Sequence, residues 1–176
     1  MKNSLSAFET ESQSIALPGY RWITFTVHKV NQPLNATSAR GVVEILFRDP
    51  AFIDEYLSFA LEHEVSRGPY LLDKISPEDF VESPFPLGCY SILSAVMSGT
   101  GVYEGGAPTP DNDTIAKVRN FLAEIPCGSA CFFLQLEPAE NIERLSEIGY
   151  ILCEYSQHLL VSPALDKVYS VTIGCD

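Results

Sequence analysis

Cys89, His158 and Asp176 follow one another in an order that could support nucleophilic chemistry. Cys89 comes after Pro86-Leu87-Gly88 and opens an apolar stretch that reads as a buried helix running to Met97. Unpaired N–H groups at a helix start, together with the helix dipole, stabilise a thiolate and make it a better nucleophile. His158 opens a predicted strand and would serve as the base. Asp176 at the chain end, or Asp166 in a predicted turn, would orient the imidazole.

Gly88-Cys89 with its helix, followed by His158-Leu159-Leu160-Val161 and Asp166, is similar in chain order to papain-like cysteine hydrolases. The resemblance covers residues 89–176 and implies a hydrolase or acyltransferase with Cys89 as nucleophile and His158 as base. Such enzymes usually carry a Gln shortly before the nucleophile, to help hold the oxyanion. Here Ser83 stands six residues ahead of Cys89, with no Gln near it.

Other chemistries find less support. The Gly-rich stretch Gly99-Thr100-Gly101 and Gly105-Gly106 lacks the phosphate-binding patterns and is surrounded by Glu104, Asp111 and Asp113, which repel anions. Cys127 and Cys131 lack zinc-knuckle spacing, and Asp111-x-Asp113 is too short for a calcium loop. No metal or cofactor is predicted. His28 and His63 read as surface residues on a polar strand face and a polar helix face.

Charge narrows the partners. Among the 176 residues, 11 Lys/Arg stand against 23 Asp/Glu, a net −12. Residues 1–60 carry only −1 of it, residues 61–120 carry −5 and residues 121–176 carry −6. Such a surface repels phosphate backbones and anionic headgroups, which argues against nucleic acid and membrane as partners. It attracts a basic protein. Charged residues are only 19% of the chain, below the roughly 25% of an ordinary soluble domain, which favours a covered surface in a complex or a homo-oligomer. The odd number of cysteines, five, behind a start without a signal-peptide pattern reads as free thiols in the reducing cytoplasm.

The elements that would position these residues read as follows. Residues 1–19 are polar and predict a loose N-terminal arm, with one domain over 20–176. Tyr20–Val30 alternates as a half-buried strand, and Val42–Phe47 is an apolar run that predicts a second. Asp49-Pro50 predicts a helix start, followed by a stripe of Phe52, Ile53, Tyr56, Leu57, Ala60 and Leu61. Ser76-Pro77-Glu78-Asp79 predicts a short helix, and Asp113 is expected to cap a helix with Ile115, Val118, Leu122 and Ile125 inward. Then come a strand at Cys131–Leu136, a helix at Pro138–Ile148 and strands at Tyr150–Tyr155, His158–Val161 and Val168–Ile173. Residues 131–155 have the length of a crossover unit, and the last two strands suit a hairpin. The sum is an α+β fold: a single domain with a mixed, mainly antiparallel sheet and helices packed on one side.

Two function classes follow. The first is an acidic cytoplasmic protein-binding domain, an inhibitor or immunity-type protein engaging a basic partner. Tyr103, Glu104, Asp111, Asp113, Tyr155 and Tyr169 are its expected contact residues. The second is the papain-like hydrolase or acyltransferase.

Overall fold

A computed structural model describes residues 6–52, 66–98, 108–136, 141–146 and 154–175. The fold is α+β, built on one six-stranded sheet. β1 (Phe8–Leu17) and β2 (Arg21–Val30) form a hairpin in unbroken register from Phe8 opposite Val30 to Leu17 opposite Arg21. Its turn uses positive φ at Gly19 (77°) and Tyr20 (59°), the first a position suited to glycine.

Residues 8–17 are therefore a strand, not part of a loose arm. They show no apolar alternation because β1 is an edge strand, held by cross-strand polar pairs as well as ladder bonds. Ser12 meets Thr26 (3.0 Å), Ser14 meets Thr24 (2.8 Å), and Lys29 meets Glu11 (2.7 Å). Ahead of it, the Asp49 carboxylate accepts from the Ala7 N–H (2.7 Å) and the Ser6 hydroxyl, pinning the start of the described chain.

The run expected as a second strand is helix α1 (Ala39–Phe47). Ser38 caps it by accepting from the Gly41 N–H at 3.2 Å. Val42, Val43, Leu46 and Phe47 are buried while Glu44 is exposed, a helical stripe that an apolar run broken only by Glu44 conceals. Asp49-Pro50 begins only a 3-10 turn, Pro50–Phe52. The rest of the expected helix, including His63, lies outside the described residues.

Two short strands, β3 (Ser66–Arg67) and β4 (Tyr70–Leu71), pair around Gly68 (φ 55°). A Cβ on Gly68 would come within 2.1 Å of the Tyr155 ring, so that ring packs directly over the glycine. The expected short helix is a 3-10 turn, Pro77–Asp79, where the Asp79 carboxylate accepts from the Ser76 N–H (2.8 Å) and from Arg144 (2.9 Å).

Then follow β5 (Phe80–Ser83), α2 (Phe85–Ser98), α3 (Asn112–Glu124), β6 (Ala130–Leu134), β7 (Glu154–Val161) and β8 (Lys167–Cys175). The cap of α3 is Asp111, which accepts from the Thr114 N–H at 2.7 Å. Asp113 sits in the first turn and pairs with Lys117 at 2.7 Å. Strand order is β1-β2-β8-β7-β6-β5, and every pairing is antiparallel.

Residues 131–155 are thus no parallel crossover, because β6 and β7 run antiparallel. Residues 142–144, expected inside a helix, form a 3-10 turn. β7 joins in one strand the expected segments ending at Tyr155 and starting at His158. The β7–β8 hairpin is as expected, with the Ser162 hydroxyl donating to Asp166 (2.6 Å) inside its turn.

Register parity divides the core between the two faces of the sheet. On one face α1 covers Phe8, Phe80, Phe132, Leu159, Val161 and Val168. On the other, α2 and α3 cover Phe25, Cys131, Leu160, Val171 and Ile173. The two longer helices share one side as expected, and α1 adds a layer on the other. That layer explains His28, which is fully buried beside Phe8 and Phe52 with its ring nitrogen 3.2 Å from Thr10.

Candidate functional site

Helix α2 contains no charged residue over its 14 positions, in a chain of net −12. Its inner face is Gly88, Ile92, Ala95 and Val96, all buried. Gly88 sets how closely it can sit: a Cβ there would lie 2.2 Å from the Cys131 sulfur. The far end is fixed by Arg21 of β2, a buried cation that donates to the carbonyls of Val96 (3.3 Å) and Ala95. Positive charge at a helix C-terminus is favourable, and carbonyls in a helix's last turn are the ones left open to such a donor.

The outer face is also uncharged. Leu87 is 60% exposed, Tyr90 71% and Met97 37%, with Ser91 and Ser94 beside them. Spacings of three and four residues put Leu87, Tyr90, Ser94 and Met97 on one stripe. Helices that are apolar all round normally lie inside a protein, and this one has a side facing water. Exposed Tyr90 and Met97 on a face without charge, with Leu87 beside them, match an interface centre, where aromatic and Met side chains are enriched and charge is depleted.

The sequence-predicted nucleophile belongs to the same helix. α2 begins at Phe85, and the Pro84 carbonyl accepts from the N–H groups of Leu87 (2.9 Å) and Gly88 (3.1 Å). Cys89 therefore stands in the second turn, past the unpaired N–H groups that would stabilise a thiolate. It packs half-buried against the core, and burial pushes its thiol above the ordinary range, with a smaller push from nearby Cys127. His158 is 5% exposed on β7, and burial pushes its imidazole down to about 4. Its Nδ1 is buried without a hydrogen-bond partner, and its ring tilts against Phe133. Both environments favour neutral groups, the opposite of a thiolate–imidazolium pair. Asp166 is engaged by Ser162 in its turn, and Asp176 lies outside the described residues.

The expected contact residues are scattered. Tyr103 and Glu104 lie outside the described residues. Asp111 and Asp113 are exposed at the start of α3, occupied with capping and with Lys117. Tyr155 and Tyr169 are core residues, not surface anchors: Tyr155 packs on Tyr70 over Gly68, and Tyr169 meets Phe121 edge-on. Both lie on strands of a sheet covered on its two faces, so alternation leaves neither side open. Among the described residues no three His, Cys, Asp or Glu side chains converge as metal ligands, and no helix is long and apolar enough to cross a membrane.

Sequence reasoning missed the outer stripe of α2 because the run 89–97 read simply as a buried helix. The available signal was the want of any charge from Phe85 to Ser98 together with Leu87, Tyr90 and Met97 at helical spacing. Comparison with protein-family models, with curated proteins and with solved structures finds no match.

Proposed function

We propose that this chain is a protein-binding module whose partner docks on the outer face of α2, centred on Leu87 and Tyr90. The observation that carries the reading is the exposed apolar stripe on a helix without charge. Two large exposed side chains one turn apart offer anchors that a partner can desolvate at little cost in buried charge. The acidity of residues 61–176, which contain α2, supports a basic partner drawn in by long-range attraction and held by apolar contact. An inhibitor or immunity-type role toward such a protein fits this division of labour.

The test compares capture from the source cells by the wild-type chain and by the Leu87→Asp/Tyr90→Asp variant, at low and at high salt. A basic protein retained by the wild type, lost with the variant and weakened by salt is the expected result. Equal capture by both chains contradicts the reading.

A further inference from the structure

The two edges of the sheet are built differently. β5 has four residues, carries Glu82 and runs into Pro84, the features with which proteins blunt an edge. β1 has ten residues in unbroken register with β2, no proline, no lysine and no bulge. Glu9 through Ser14 are all exposed, and among the described residues no strand pairs with the outer edge of β1. A long, regular, open edge of this kind is a template for another strand.

Its charge favours a second copy of the same chain. Glu9 and Glu11 are the only charged residues of β1, and Lys29 neutralises Glu11 at 2.7 Å. Residues 1–60 as a whole carry −1, so the edge belongs to the one nearly neutral third of an acidic chain. A basic strand finds only Glu9 and Glu11 there, both beside Lys29, while a second copy meets little repulsion.

Antiparallel self-pairing also suits the order of side chains. Registers of greatest overlap set either Ser12 opposite Ser12 or Gln13 opposite Gln13. In the first, Glu9 faces Ile15 and Glu11 faces Gln13. In the second, Glu9 faces Leu17 and Glu11 faces Ile15. Neither sets glutamate against glutamate.

We propose that β1 pairs antiparallel with β1 of a second copy, joining two six-stranded sheets into one across a two-fold axis. That axis stands perpendicular to the sheet, because opposed residues of an antiparallel pair share a face. It keeps both α2 helices on the same side, so a dimer presents two outer stripes together. The dimer needs no partner protein, and its test is independent of the function proposed for α2.

Sedimentation of the pure chain from about 1 to about 100 μM is the experiment, since self-association appears as a concentration-dependent mass. The expected result is a dimer that is lost in Ser12→Lys/Ser14→Lys, which sets Lys against Lys in either register. The dimer should persist in Leu87→Asp/Tyr90→Asp. A monomer throughout the range overturns the proposal, as does a dimer broken by the α2 variant and untouched by the β1 variant. Should the lysine variant fail to fold, amide exchange in the wild type decides. Protection of outward β1 amides must rise with concentration, and protection independent of concentration overturns the proposal.

Discussion

The Arg21 guanidinium, on β2, donates to the carbonyl of Val96 at 3.3 Å and so joins the sheet to the C-terminal end of α2. A buried cation at this place satisfies helix-end carbonyls and complements the helix dipole. Arg21→Met keeps much of the side-chain volume and removes the donors. It should destabilise the fold by about 2–3 kcal/mol in denaturant unfolding, the range for charged hydrogen bonds lost from a buried site. Amide exchange should show the last turn of α2 loosening first. Exchange that quickens evenly along the chain would mean that Arg21 does not hold α2.

Gly88 and Cys131 fix the other end. Gly88→Ala places a methyl group 2.2 Å from the Cys131 sulfur. Overpacking should destabilise by about 1–3 kcal/mol, outweighing the roughly 1 kcal/mol by which Ala exceeds Gly in helix propensity. Cys131→Ala removes the sulfur, so Gly88→Ala should become neutral or stabilising in that background. Equal effects in the two backgrounds would show that the contact does not limit the approach of α2.

His158 should make the protein acid-sensitive. Its folded-state pKa of about 4 lies below the 6.5 of an ordinary imidazole, so the unfolded chain takes up the proton first as pH falls. The stability it contributes is complete above about pH 6.5 and is lost as pH falls toward 4, by up to about 3 kcal/mol. His158→Leu removes both this titration and the unpartnered Nδ1. Subtracting the two stability profiles should leave a slope confined to that window. A flat difference would show that the imidazole is not held neutral.

The cysteines should react in the order of their exposure. Cys127 is exposed, Cys89 half-buried with a raised thiol, and Cys131 buried with its thiol pushed up to about 12. Iodoacetamide at neutral pH, followed by peptide mass analysis, should label Cys127 before Cys89 and Cys89 before Cys131. Labelling of Cys89 well ahead of Cys127 would instead favour the hydrolase reading, because a catalytic thiolate reacts fastest.

What was legible in the sequence was periodic. Ile23 and Phe25 on β2, the inward stripe of Val118, Leu122 and Ile125 on α3, and the turn at Pro163–Asp166 all carried their local signals into the fold. Val42–Phe47 misled because a short apolar run suits a buried strand or a buried helix equally well. β1 was hidden because its stabilisation comes from pairing with β2, which its own residues do not announce. His28, Tyr155 and Tyr169 were misplaced for one reason. A polar-looking strand face can still be covered when a second layer packs on it, and that layer is tertiary information. The α2 stripe is the reverse case: its residues were plain in the sequence, and only the packing showed which of them face water.

The outer face of α2 is the central claim, and a photo-crosslinking residue at position 90 tests it most directly. Ala116, exposed on α3, supplies the control position. In the source cells, position 90 should join the chain to one other protein, basic in character, while position 116 should not. No adduct at position 90, or the same adducts at both positions, would contradict a partner seated on Leu87 and Tyr90.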